Sequence, residues 1–558
     1  MKTKWLVIGL VATAGVCGAR EKAPFKILYS DDFTHSYNCV SPYNPTRLGP
    51  WNIEMLRGAV RDVSKEEADV HMLQLTTMYV PWWPSKSYSM QEHYDWWRKH
   101  YGNDPETQIS GEADINNYVL NGGDPVKVFV EECRKMGKAA FISCRMNDGH
   151  HREYAFNEGN KLGVHTLSKF FVENPQYILG EDPNMQYFRL ALLQNWIHPE
   201  VREHKLTFIK ELCEYDIDGI ELDFMRHWWL FRTDQTTREE RVKIMTDYIK
   251  QVRQVLDSTA RPGQTRWLCV RIPMYEAYFD FLGFDLPQMA EAGVDMFNLS
   301  ASYFTIQNSD MAEIRKTVPD SSVYLEVHYA TCLGELVEVK TDVYKGYGST
   351  VVRKTTPEQL RTTAHLAYAA GLDGISTFNF QYYRNFGKGD RGPYFEPPFS
   401  VLEELRYPEK LATEAQHYFW RVTPTLKFSD GSSAPGFQNK AFAPKMKAGG
   451  VAAYTLTMAP PAGGWKNAGI LRILSDRELR SSEWSAFFNG VKLEPTPDVR
   501  EPYPPVYPQI LGAPEEYRGW IVPPELMKTG ANNVEIRMVK GNEYNEPEVI
   551  TFVDLFVR

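Results

Sequence analysis

The sequence is poor in cysteine, in basic excess and in long apolar runs, and each shortage excludes a class of protein. Seven cysteines in 558 residues are too few for a disulfide-built scaffold. None of them is spaced as CxxC or as a Cys/His metal site. Lys and Arg number 62 against 71 Asp and Glu, a net charge of −9, so there is no electrostatic footprint for nucleic acid. Beyond the first twenty residues no apolar run reaches the ~20 residues that span a bilayer, which argues against an integral membrane protein. GxSxG and HExxH are absent, and no Gly-rich phosphate fingerprint follows the first strand. Serine-elbow, zincin and dinucleotide chemistry therefore lack their motifs. With 43% hydrophobic residues, the chain nevertheless buries a large core, which excludes wholesale disorder.

What is plentiful is aromatic: 14 Trp, 31 Tyr and 29 Phe. Such rings build cores, and they also stack on sugars. The N-terminus has the form of an export signal. Lys2 and Lys4 precede an apolar stretch from Trp5 to Val16, and Cys17-Gly18-Ala19 offers a small-residue cleavage site. The expected location is periplasmic or extracellular, with lipid attachment at Cys17 as the alternative.

From about residue 25 to 408, short apolar runs alternate with amphipathic ones. The predicted strands are Lys26–Tyr29, His71–Thr77, Ala139–Arg145, Gly219–Phe224, Trp267–Ile272, Asp295–Ser300, Val323–His328 and Gly374–Phe380. Helices are punctuated by Asp124-Pro125, His198-Pro199, Arg238 to Leu256 and Thr356-Pro357. Eight strands alternating with helices predict an α/β fold, a closed (β/α)₈ TIM barrel; an open doubly wound sheet is the alternative. Asp-Gly-Ile opens two strands, at Asp218 and Asp373. From 411 to 558 the helices thin out and Pro/Gly turns separate short alternating runs, as in Val451–Met458, Asn533–Met538 and Val549–Val557. That pattern predicts an all-β sandwich.

Barrel sites gather where strands end. Alternation along the fourth strand turns Glu221 and Asp223 into the lumen, and along the seventh it turns Tyr324, Glu326 and His328 inward. Two carboxyl groups on one buried face are costly unless paired or protonated. They are either parts of a structural ion-pair network or an acid and a base. A carboxylate from strand four facing one from strand seven is the constellation of a glycosidase, one acid protonating the leaving oxygen and the other attacking or activating water. Asp223 is the expected general acid, Glu326 the nucleophile or base, and Glu221 the group that tunes them. Arg145, Asn147, His150, Arg226, His227, Arg271, His328 and Asn379 are the expected substrate contacts. Trp82, Trp83 and Trp228, in predicted rim loops, are expected stacking platforms. Neither a metal nor an organic cofactor is expected. A metal-dependent hydrolase would instead bring His150 or His151 together with Asp31 and Asp223.

The run Tyr215 to Arg226, preceded by His198-Pro199-Glu200-Val201-Arg202, resembles bacterial glycosyl hydrolase-like TIM-barrel proteins of the "family 10 glycosylhydrolase" type. Arg145-Met146-Asn147-Asp148, Arg271-Ile272-Pro273 and Leu282-Gly283-Phe284-Asp285 fit the same family, over roughly residues 120 to 385. The strand also resembles that of family 18 chitinases as far as Asp223, but Met225 stands where those enzymes place their acid. Val522 to Leu526 and Asn532 to Ile536 are similar to galactose-binding-like sandwiches. The resemblance implies an exported glycosidase whose partner is a poly- or oligosaccharide, sulfated and uronate-bearing glycans included. A non-catalytic carbohydrate-binding protein on a degraded barrel is the rival reading.

Overall fold

The computed structural model describes residues 21–45, 50–77, 79–102, 110–150, 167–183, 192–302, 304–333, 352–384, 396–420, 425–427, 433–435, 445–475, 478–479, 481–500, 516–544 and 546–558. The predicted signal and Cys17 lie outside these residues, as does His151.

Eight parallel strands close into a barrel: β1 (Ile27–Asp32), β2 (Val70–Gln74), β3 (Ala139–Arg145), β4 (Gly219–Asp223), β5 (Trp267–Pro273), β6 (Met296–Ser300), β7 (Ser322–His328) and β8 (Gly374–Phe378). Each strand pairs with its neighbours in sequence, and β8 pairs with β1. The main helices between and after them are α1 (Ile53–Arg61), α2 (Pro125–Lys135), α3 (Pro199–Leu212), α4 (Arg238–Thr259), α5 (Leu286–Ala292), α6 (Met311–Thr317), α7 (Pro357–Ala369) and α8 (Phe399–Glu404). Their starts follow local chemistry. Asp124 caps α2 through the Lys127 N–H, and Thr237 with Glu240 and Thr356 with Gln359 form capping boxes at α4 and α7.

An aspartate precedes every even-numbered strand and ties it to the odd one before it. Asp69 accepts the N–H of Ile27, Asp218 that of Ala140, Asp295 that of Leu268 and Asp373 that of Val323, at 2.8 to 3.0 Å. Two of these were visible as Asp-Gly pairs; the others are followed by Val70 and Met296. The glycines have a packing reason. A Cβ on Gly219 would meet the Phe141 ring at 2.6 Å, and one on Gly374 the Tyr324 ring at 2.8 Å. Those two side chains, with Leu28, Val70, Met72, Cys269 and Met296, form one apolar cluster that fills the lower interior. Above it the inward positions turn polar.

The prediction for the second strand ran too long. The chain leaves the barrel at Gln74 and forms a small antiparallel ribbon, Thr76–Thr77 with Val80–Pro81. The first strand runs further than expected, so Asp31 and Asp32 lie within it, on opposite faces.

After α8 and a short helix, Pro408–Leu411, come antiparallel sheets. One orders β9 (Gln416–Trp420), β15 (Glu548–Val557), β11 (Gly469–Ser475) and β13 (Tyr517–Val522) side by side. The other orders β10 (Val451–Met458), β14 (Gly530–Lys540) and β12 (Glu483–Phe488). Strict in-out alternation along β10 marks a sheet buried on one face. The outer edge of β9 meets the barrel: Gln307 donates to the His417 carbonyl at 3.1 Å and accepts the Phe419 N–H at 2.9 Å, while Thr362 accepts the His417 N–H at 2.8 Å. Among the described residues no helix is long and apolar enough to cross a membrane.

Candidate active site

The polar upper half of the barrel is organised by three arginines. Arg271 of β5 stands at its centre, 1% exposed. Its Nε and Nη2 donate to the two oxygens of Glu326 at 2.6 and 2.8 Å, and its Nη1 donates to Asp223 Oδ1 at 3.0 Å. The guanidinium lies over the Phe378 ring, 4.1 Å from its centroid. Alternation therefore placed both acids correctly, and the structure brings them together on one cation.

Glu326 is fully engaged. Ser300 donates to Oε1 at 2.5 Å, Asn298 to Oε2 at 3.4 Å, and His328 Nε2 lies 2.8 Å from Oε1. Burial would raise its pKa, but Arg271 and then His328 outweigh burial and bring it to about 2. Asp223 accepts at Oδ1 from Arg271 and from the Met225 N–H at 2.8 Å, and its Oδ2 accepts no hydrogen bond from the described residues. Glu221 sits below, two residues earlier on the same face. Ser143 donates to it at 2.7 Å and Asn298 at 3.1 Å. Burial and the neighbouring Asp223 push its pKa up to about 7, against Arg271 and these two donors. The acid held protonated near neutral pH is thus Glu221.

The second arginine, Arg145 at the end of β3, joins Asp32 of β1 to Asp148. Asn379 donates to the other Asp32 oxygen at 2.9 Å. Burial would raise Asp32 and Asp148; Arg145 and Arg226 lower the first and His150 and Arg145 the second, leaving both below the usual range. The third arginine, Arg226, lies half-buried at the mouth beside His150, with His227 and Trp228 next to it. Burial, then Arg145, lowers Arg226 to about 10, and burial, then Arg226, lowers His150 to about 4.

Asp148, His150 and His227 offer ligand atoms within 4.8 Å of one another. Three of the four imidazole nitrogens are already engaged. Arg226 Nε donates to His150 Nε2 at 3.1 Å, so that ring's proton is on Nδ1, 2.5 Å from Asp148 Oδ1. The Gly149 N–H donates to His227 Nδ1 at 3.1 Å. This is a hydrogen-bonded set, and a cation there would face two guanidinium groups. The convergence a metal-dependent hydrolase would need, with Asp31 and Asp223, does not occur: Asp31 turns outward and pairs with His35.

Three expected substrate contacts are placed elsewhere. Trp82 and Trp83 are each 1% exposed, with their indole N–H groups on Asn116 and Glu211 at 2.9 and 3.1 Å. They plug the space between loop and helices and offer no stacking face, because their rings pack on Phe33 and Phe208. Asn147 holds backbone: it donates to the carbonyls of Gln194 and Trp229 at 3.0 and 2.6 Å. Trp228 remains at the mouth, edge-on to Tyr278 at 4.9 Å. Asp32, Asp148, Ser143, Asn298 and Ser300 were not among the expected site residues. For Asn298 and Ser300 the signal was available, since both occupy inward positions by the alternation already applied to β4 and β7.

No known family profile matches the sequence, and neither does any curated protein. Solved structures that share a likeness include α-L-fucosidase isoenzyme 2 from Paenibacillus thiaminolyticus, 13% identical over 69% of this chain and 49% of that one, with a TM-score of 0.38. They also include a Group IV chitinase from Ostrinia furnacalis, 11% identical over 68% of this chain and 98% of the other, TM-score 0.37. The α-amylase of H. orenii is 11% identical over 91% and 99% of the two chains, TM-score 0.36. The chain thus spans about half the length of the fucosidase it matches.

Proposed function

We propose that the protein is a glycoside hydrolase that cleaves an oligo- or polysaccharide at the C-terminal mouth of its barrel. The observation that carries this reading is the meeting of Asp223 from β4 and Glu326 from β7 on Arg271, beside a third carboxyl group, Glu221, that favours its protonated form. Glycosidic cleavage needs one carboxyl group that gives a proton and one that stays charged. Glu326, brought to about 2, stays charged and is assigned as nucleophile or base. Asp223, with one oxygen not engaged, is assigned as general acid. Glu221, two residues before Asp223 on the same inward face of β4, is assigned as the tuning group. Arg145, Arg226, His150, His227 and Trp228 are assigned to the sugar, Arg226 suiting hydroxyl, carboxylate or sulfate groups. The scheme uses no cofactor. The N-terminal segment, read as an export signal, supports a periplasmic or extracellular location, with lipid attachment at Cys17 as the alternative.

A second reading, a non-catalytic carbohydrate-binding protein, is favoured by one fact: both oxygens of Glu326 are already bonded. One screen separates the two. The purified protein is incubated with a polysaccharide panel that includes sulfated and uronate-bearing glycans, and released reducing ends are measured. Asp223→Asn and Glu326→Gln are expected to lose at least ~100-fold. Activity within a few-fold of wild type in both removes the assignment, and binding with no release by the wild type selects the second reading.

A further inference from the structure

We propose that Ser302 is a positioning residue of this site, fixing Arg271 through a backbone conformation that a side chain disfavours. Its catalytic consequence rests on the glycosidase reading; the positioning itself rests on geometry alone. Among the described residues four that are not glycine have positive φ: Tyr79 at 62°, Ser302 at 73°, Asn379 at 52° and Asn489 at 50°. Asn489 precedes Gly490 in the tight turn that follows β12. The other three stand beyond barrel strand ends, and each holds a charged residue of the mouth. Tyr79 donates its hydroxyl to the Arg145 carbonyl at 2.5 Å, Asn379 donates to Asp32 at 2.9 Å, and the Ser302 carbonyl accepts Arg271 Nη2 at 3.3 Å.

Local chemistry accounts for two of these. Tyr79 lies in the two-residue turn of a hairpin, where positive φ is the rule, and asparagine tolerates the left-handed region. Ser302 has neither reason. Its hydroxyl makes no hydrogen bond among the described residues, so the side chain does not hold the conformation. What the conformation achieves is a double grip. The Ser302 carbonyl meets the guanidinium, while its N–H donates to Ser300 Oγ at 2.9 Å, and that hydroxyl donates to Glu326 Oε1. One dihedral thereby orients the cation and, through Ser300, the carboxylate it binds. Returning φ to the negative side rotates the adjoining peptide and breaks both contacts. Backbone held in a sparsely populated region persists only where its surroundings over-determine it, and such residues cluster at functional sites.

Glycine adopts this φ without cost, whereas a residue with a Cβ is disfavoured there and a β-branched one most of all. Ser302→Gly therefore keeps the grip and relieves its strain, and Ser302→Val opposes it without removing a bonded atom. The readout is the Nε–H signal of Arg271 in protein labelled with ¹⁵N-arginine, assigned by its absence from Arg271→Lys. In Ser302→Val its hydrogen exchange is expected to quicken at least tenfold, and in Ser302→Gly to stay at or below the wild-type rate with a thermal midpoint at or above wild type. An unchanged rate in the valine variant, or a quicker rate in the glycine variant, overturns the proposal. On whichever aryl glycoside the wild type hydrolyses, Ser302→Val is expected to lower kcat at least fivefold with KM within twofold, and Ser302→Gly to keep both within twofold. Hydrolysis of no aryl glycoside or glycan by the wild type defeats the glycosidase reading and leaves the exchange result to decide the positioning role.

Discussion

Arg271 holds Glu326 by a two-pronged contact, Nε on one carboxylate oxygen at 2.6 Å and Nη2 on the other at 2.8 Å, with neither side chain reached by solvent. Planar pairing of this kind is strong and directional. It also carries a liability, since a buried charge that loses its partner is far costlier than one never buried.

Replacing Arg271 with Met is therefore expected to destabilise the protein by about 3–5 kcal/mol, because Glu326 and Asp223 are left buried without their cation. Urea unfolding measures this. A loss below about 1 kcal/mol would mean that the pair is solvated or that other donors suffice.

Acid and alkaline stability should be governed by different carboxyl groups. Glu326 has its pKa lowered from 4.5 to about 2, so its contribution is present above the ordinary value and is lost as pH falls toward 2. Glu221 is raised from 4.5 to about 7. Its contribution is complete below 4.5 and is lost as pH rises through 7. Glu221→Gln should remove the second effect, making the variant more stable than wild type at pH 8 by up to about 3 kcal/mol relative to their difference at pH 4. Denaturation curves at the two pH values test it, and parallel shifts at both would show that Glu221 does not titrate.

Two tryptophans should behave oppositely. Trp82→Ala opens a cavity under the loop after β2 and is expected to cost about 3–5 kcal/mol of stability. Trp228→Ala, at the half-buried mouth, should leave the thermal midpoint within a few degrees and, on the glycosidase reading proposed above, raise KM. A change of KM with no loss of stability in Trp82→Ala would return that ring to the substrate side.

Asn147→Ala should weaken the loops it joins, by about 1–3 kcal/mol for the buried carbonyls left without a donor. Quicker amide exchange at Gln194, whose N–H donates to Asn147 Oδ1 at 3.3 Å, and at Trp196, whose N–H donates to the Leu230 carbonyl at 2.8 Å, would report the loosening. Unchanged exchange at both would leave Asn147 free to act on substrate.

Periodicity made the barrel and its inward acids legible. Leu222 and Phe224 out, Glu221 and Asp223 in, is a pattern that a buried parallel strand dictates, and the structure obeys it. The same parity applied to the predicted strand Asp295–Ser300 turns Asn298 and Ser300 inward, but neither carries a charge whose burial would single it out. Asp31 and Asp32 follow the predicted end of the first strand at Tyr29, and in the structure they are adjacent rungs of β1 facing opposite ways. The tryptophans show a different limit. A Pro-flanked Trp pair can plug a loop or form a platform, and only the positions of Asn116 and Glu211, far along the chain, decide which. Ser302 left no trace in the sequence, since its distinction lies in a dihedral angle.

The outer edge of β9 is a row of backbone donors and acceptors that would template another strand if left open. Here Gln307 and Thr362 of the barrel occupy it, the Gln307 amide standing in for the peptide group of a missing neighbour. The barrel thus acts as a permanent guard against edge-to-edge association of the β-sheets, and the sheets released from it would seek that neighbour in another copy of themselves.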